Sequence, residues 1–391
     1  MKHNFDEIIN RTGTNSIKYD FAIERGKPED TLPLWVADMD FQTAPSVTEA
    51  LMKAVQHGIF GYSESKSGYF NTLYEWFKDH FDWRVEPEWL VKTPGVVYAI
   101  ATVVRALTQE GDAVLIQRPV YYPFSEAIIA NNRKLVNNAL IYENGAYHID
   151  FEDFEDKILK HKVKLFILCS PHNPVGRVWT REELNRIGTL CIKHHVIVIS
   201  DEIHADFTYQ GHKHTIFGSI SDDFLNNSII CTAPSKTFNL AGLQVSNIFI
   251  ADKGIRSKIR DEIRRSGYSQ LNIMGLIACQ AAYAGGGLWL EELKRYLEDN
   301  LGFVRAFITK HLPKVKLVEP QGTYLIWLDF GALNLTEDEL DDLIVKKAKL
   351  WLDHGTMFGN EGRGFQRVNI ACPRSILEKA FHQLAVAVND E

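Results

Sequence analysis

The apolar run Ser228-Ile229-Ile230-Cys231-Thr232 leads directly into Ala233-Pro234-Ser235-Lys236-Thr237-Phe238-Asn239-Leu240. A short β-rich run closed by a proline predicts a buried strand and then a turn. Lys236 stands between two hydroxyl residues just past the strand's end. An ammonium buried without a partner is costly. A lysine that can shed its proton has a use in such a place, because desolvation lowers its pKa and the free amine attacks aldehydes to form a Schiff base. The bland alternative is an exposed loop lysine, so other residues must decide.

Working outward, similar runs alternate with helical patterns from Lys92 to about Ile250. Ala113 to Gln117, Lys134 to Val136, Lys164 to Cys169, Val196 to Ser200 and Asn247 to Ala251 read as strands. Pro123 to Ala130, Phe151 to Lys160 and Thr180 to His194 read as helices. Nearly continuous apolar strands separated by helices predict an α/β fold with a mostly parallel sheet covered on both faces. Before it, Ser46 to His57 predicts a helix with Val47, Ala50, Leu51, Ala54 and Val55 on one face. Gly68 to Phe81 predicts another. After Ala251 the helices lengthen, and Gly285-Gly286-Gly287 reads as a hinge. Strands at Lys316 to Val318 and Thr323 to Asp329, a helix over Glu337 to Lys349 and a last helix from Ser375 predict a smaller α+β unit. The expected division is residues 45–286 as a large domain, with 1–44 and 287–391 forming the small one.

In an open α/β sheet, ligands bind beyond the carboxyl ends of the strands. Asp201 follows Val196 to Ser200. It either caps a turn or pairs with a protonated ring nitrogen, as pyridoxal phosphate (PLP) requires if its ring is to draw in electrons. Ser170-Pro171-His172-Asn173-Pro174-Val175-Gly176 follows the next strand and offers Asn173 as a rigidly held donor. Thr93-Pro94-Gly95-Val96-Val97-Tyr98 opens a helix, whose first amides favour an anion. Tyr121, in Pro119-Val120-Tyr121-Tyr122-Pro123, is core or a stacking aromatic. Arg367 is a surface cation or a fork for a carboxylate. His212-Lys213-His214 reads as a solvated turn, not a metal site.

The 391 residues carry a net charge of -7 and 45% hydrophobic residues, enough for a large core. No basic stripe suggests nucleic acid, and no apolar run approaches the ~20 residues of a membrane helix. Neither GxGxxG nor GxxxxGK[ST] is present, so dinucleotide and ATP binding lack support. The polar start Met1-Lys2-His3-Asn4-Phe5-Asp6-Glu7 and five scattered cysteines suggest a cytoplasmic protein with reduced thiols.

Taken together, the motifs resemble PLP enzymes of fold type I, in the class I/II aminotransferase superfamily. Within it they are most similar to the MalY/PatB branch of cystathionine β-lyase-like C–S lyases. The strings are Leu32 to Phe41, His57 to Tyr62, Ser200 to Phe207, Ala233 to Gln244, Tyr324 to Phe330 and Glu361 to Arg374. The resemblance implies PLP, with Lys236 as the Schiff-base lysine and Asp201 as the ring-nitrogen partner. Asn173 and His204 would flank the ring oxygen, and Tyr121 would stack on the ring. Ser235, Thr232 and the amides of Val96 and Val97 would hold phosphate. Arg367, Asn173 and Ala37 would bind substrate, and Tyr62 would reach a neighbouring subunit's phosphate, implying a homodimer with shared sites. The implied reaction is α,β-elimination on L-cystathionine or another amino-acid thioether. Gln244 and His204 stand where common aminotransferases carry arginine and tyrosine, as in the lyase branch. A transaminase, and a non-enzymatic regulatory protein on the same scaffold, stay open at this stage.

Overall fold

The computed structural model describes residues 2–389. Met1, part of the polar start noted above, and residues 390–391 lie outside it. Seven strands build the main sheet: β1 (Leu90–Thr93), β2 (Ala113–Ile116), β3 (Lys134–Asn137), β4 (Leu165–Cys169), β5 (Ile197–Asp201), β6 (Ser228–Thr232) and β7 (Ser246–Phe249). They lie in the order β1-β7-β6-β5-β4-β2-β3. Strands β2 to β6 pair in parallel, whereas β7 runs antiparallel to both β1 and β6. Successive side chains enter opposite cores. Val114, Ile116, Leu165 and Ile167 join one apolar cluster, and Leu115, Phe166 and Leu168 join the other. Both faces are covered, which is why these strands read as unbroken apolar runs.

The register positions the site. Cys169 of β4, Asp201 of β5 and Cys231 of β6 are aligned across the sheet. The chain therefore leaves three neighbouring strands at one level, and whatever follows each strand meets at one edge.

A second, antiparallel sheet holds β8 (Lys316–Val318), β9 (Leu325–Asp329), β10 (Asp353–His354) and β11 (Phe365–Asn369), in the order β8-β9-β11-β10. The expected helix over Glu337 to Lys349 is shorter. It is α-helical only over Glu337–Asp341, then widens into a π turn over Asp342–Lys347. The helix Pro45–His57 buries Val47 but leaves Met52 and Val55 exposed, so its expected apolar face is only partly covered. At Gly285-Gly286-Gly287, helices Ile273–Gly285 and Gly287–His311 meet at 78°. A Cβ on Gly286 would stand 2.4 Å from the Phe238 ring, so the glycines make a packed corner. Among the described residues no single helix is long and apolar enough to cross a membrane.

The N-terminal segment is tied down by charge. Lys18 is fully buried, and its Nζ donates to Asp40 Oδ2 at 2.7 Å. Arg11 donates to Asp38 at 2.6 Å and Asp40 at 2.8 Å, and the Tyr19 hydroxyl donates to Asp40 at 3.0 Å. This cluster fixes the stretch beside Ala37. Removing one member of a buried ion pair leaves the other uncompensated. Lys18→Met is therefore expected to lower stability by about 3 kcal/mol, read from urea unfolding. A loss below about 0.5 kcal/mol, the scale of ordinary surface changes, would show that the cluster does not hold the segment.

Candidate active site

Lys236 lies on a single helical turn, Pro234–Thr237, that begins as soon as β6 ends. The Thr237 hydroxyl donates to Asp206 Oδ2 at 2.6 Å, and Trp76 Nε1 donates to Asp206 Oδ1 at 3.1 Å. These bonds pin the turn from behind. Lys236 Nζ donates to the Ala37 carbonyl at 2.8 Å, and the same oxygen accepts from the Tyr324 hydroxyl at 2.9 Å. Burial brings the Lys236 amine down to about 8, with the nearby Arg367 charge adding to the effect and Asp38 and Asp201 opposing it. A nucleophilic amine benefits from this shift, because more of it is neutral near physiological pH.

Asp201 ends β5 and accepts the Ile203 amide at 3.2 Å. Burial raises its carboxyl to about 7; Ile203 and Lys236 pull the other way, and Glu202 adds to the rise. A cation set against it would favour the charged form. His204 is buried with its Nδ1 unpartnered, and its imidazole is held well below the usual range by burial, then by Lys236 and Arg367. It therefore faces the cavity as a neutral ring.

Asn173 follows β4 in a loop with cis bonds at Ser170–Pro171 and Asn173–Pro174. Its Oδ1 accepts from Arg367 Nη1 at 3.0 Å, and its carbonyl accepts the Tyr121 amide at 3.1 Å. Tyr121 lines the cavity. Gly95 has φ 152°, in the half of backbone space that favours glycine, and hands over to the helix Val96–Leu107, which no side chain caps. The first residues of that helix and Ser235 both line the cavity. They make an anion cradle, while Asp201 offers a carboxylate and Lys236 an amine. The wall thus suits a flat group bearing a phosphate, a basic ring nitrogen and an aldehyde.

The cavity brings together Lys236, Asp201, Asn173, His204, Tyr121, Val96, Val97, Ser235 and Ala37. Arg367 is no surface residue. It is buried on β11, behind Asn173. Thr232 does not reach the wall, because its hydroxyl donates to the Asn247 carbonyl at 2.7 Å. Tyr62 is fully exposed and absent from the wall of its own chain's cavity. The expected solvated turn at 212–214 needs correction. His212 and Lys213 are exposed, but His214 is buried with Nε2 at 2.7 Å from Glu202 Oε2. Glu202 also accepts from the Ser200 hydroxyl and the Phe217 amide, so His214 joins a buried hydrogen-bonded group. Sequence reading gave no role to Tyr324 and missed Asp353, the partner of Arg367. Tyr324 opens one of the resemblance strings, yet its contact with Ala37 depends on tertiary packing.

The family model "Aminotransferase class I and II" matches residues 29–384. The chain belongs to this family. This class I and II aminotransferase-family chain is 45% identical to cystathionine beta-lyase PatB of Bacillus subtilis, over 99% of its own length and all of that protein's. Its structure is similar to that of cystalysin from Treponema denticola, described as containing pyridoxal 5'-phosphate, with TM-score 0.96, 35% identity and full coverage of both chains. It is also similar to a PLP-bound C-S lyase from Staphylococcus hominis, with TM-score 0.92 and 32% identity, covering 99% of this chain and 98% of that one. His204 and Gln244 both line the cavity wall.

The amine's shift has a measurable consequence. Capture of an aromatic aldehyde by the cofactor-free protein should speed up with pH roughly tenfold per unit, then level off above about 8. The sign follows from the neutral amine being the nucleophile. Stopped-flow absorbance gives the profile. A rate still climbing toward about pH 10, as for an ordinary lysine, would show that burial does not tune Lys236.

Proposed function

We propose that this chain is a PLP-dependent carbon–sulfur β-lyase. It cleaves L-cystathionine and related cysteine S-conjugates to a thiol, pyruvate and ammonia. The observation that carries this reading is the 45% identity with a cystathionine beta-lyase along the whole chain. His204 and Gln244 on the cavity wall side with it.

Bound PLP supplies an aldehyde carbon for the amino group and a cationic ring that draws in the electrons left at Cα. Asp201 would face the ring nitrogen and favour its protonated form, and that cation would in turn favour the ionised carboxylate. The amides of Val96 and Val97 with Ser235 would hold the phosphate, and Tyr121 would pack against the ring. Arg367 and Asn173 receive the substrate α-carboxylate, beside Ala37. Lys236, as a neutral amine, takes the Cα proton, and Arg367 favours that neutral form. The Cβ–S bond then breaks with its electron pair leaving on sulfur. Water completes the release of pyruvate and ammonia, so no second amino-group acceptor is consumed.

Tyr62 belongs to the same proposal as a phosphate contact given to a second copy, which makes the protein a homodimer with shared sites. Met52, Val55, Ile59 and Phe60 are exposed beside it and form an apolar patch suited to a partner. The division into residues 45–286 and 1–44 with 287–391 is proposed with it. It draws support from contacts such as Leu32 pairing with Leu350 and Lys2 bonding Glu292. Five buried, unpaired cysteines suit a cytoplasmic location.

L-Cystathionine alone, without a 2-oxo acid, should give homocysteine and pyruvate over many turnovers, followed by thiol release and pyruvate reduction. Asp201→Asn should lower kcat on the order of 10² or more. Turnover that stops after one equivalent and resumes on adding a 2-oxo acid would identify a transaminase instead. For the shared site, verified heterodimers of Tyr62→Phe and Lys236→Ala chains should regain part of the wild-type activity. One site then carries both lesions and the other neither. Heterodimers as inactive as the parents would remove Tyr62 from the partner's site.

A further inference from the structure

Arg367 carries a counterion before any substrate arrives. Its Nη2 donates to the Asp353 carboxylate and, at 2.8 Å, to the Trp35 carbonyl. Nη1 is taken by Asn173 at 3.0 Å, and the guanidinium lies over the Phe358 ring at 4.9 Å. Nε is buried with no partner. Asp353 and Arg367 are each 3% exposed, so water screens neither charge. They stand directly opposite each other in the register of β10 and β11, so the backbone itself fixes the pair. His354, the next charge along β10, is occupied with Asp341 at 2.7 Å. Burial pushes the Asp353 carboxyl up, and the Arg367 and His354 charges pull it back.

A third charge entering such a place meets an attraction and a repulsion of similar range. Any carboxylate gains the hydrogen bonds of the guanidinium. It gains little from the guanidinium's net charge, because Asp353 cancels much of it. An α-amino acid has a second point of attachment in its amine. A 2-oxo acid brings only its negative charge.

We propose that Asp353 determines specificity at this site: it neutralises Arg367, so that the anchor retains α-amino acids and rejects 2-oxo acids and other simple monoanions. The proposal rests on the reading of Arg367 as the carboxylate anchor. Poor retention of 2-oxo acids withholds the acceptor that transamination needs and lets the product pyruvate leave.

The test is calorimetric titration of the holoenzyme with pyruvate, alongside the KM for cystathionine. Asp353→Asn keeps an oxygen within reach of Nη2 but removes the charge. It should bind pyruvate on the order of tenfold more tightly, while the cystathionine KM moves by less than about threefold. A merely structural Asp353 would instead weaken both ligands together, and that result, or unchanged pyruvate binding, overturns the proposal. If Asp353→Asn does not fold, the wild type decides. Its pyruvate dissociation constant should be no tighter than about 10 mM, and a value below about 1 mM overturns the proposal. Arg367→Met separates the two levels. A cystathionine KM unmoved by Arg367→Met removes the anchor reading itself, whatever Asp353 does.

Discussion

The amine of Lys236 sits 2.8 Å from the carbonyl of Ala37, in a partly buried place. Much of the surrounding structure makes that arrangement tolerable. An ammonium there has lost part of its hydration, and Arg367 repels it. The Ala37 carbonyl replaces part of the lost water, and the Tyr324 hydroxyl holds that carbonyl in place. The stretch around Ala37 is in turn tied down by buried Lys18 and Asp40 and half-buried Arg11 and Asp38. Conflict and compensation together leave the amine able to lose a proton, which is the property the proposed chemistry uses.

The other determinants come from register. Cys169, Asp201 and Cys231 end neighbouring strands at one level, so Asn173, Asp201 and Lys236 converge although they are distant in sequence. The second sheet adds Arg367, aligned with Asp353 by its own register. Rigid sheets set these side chains, and short loops finish the wall. A site built on sheet ends holds its geometry better than one carried by loops alone.

Much of this was legible in the sequence, for a physical reason. Strands buried on both faces must be apolar throughout, so the runs stood out, and the polar residue after each run marked the ligand edge. Lys236, Asp201 and Asn173 were found in that way. What escaped notice depends on contacts between distant segments. The two-residue strand at Asp353 has no pattern of its own, and only its pairing with β11 gives it meaning. His214 looked solvated because its neighbours are polar, yet its ring is hydrogen-bonded to the buried Glu202 side chain. Lys18 drew no reading at all, because its partners Asp38 and Asp40 lie some twenty residues later in the chain. The helix Pro45–His57 was read with Val47, Ala50, Leu51, Ala54 and Val55 on one face, yet Val55 is exposed.

The central claim is that Lys236 is the residue to which the cofactor is joined. Borohydride reduction of the PLP-loaded protein, followed by proteolysis and mass spectrometry, tests it most directly. The expected result is one pyridoxyl group per chain, on the peptide containing Ser235-Lys236-Thr237. A pyridoxyl group on another lysine, or none after complete loading, would contradict it.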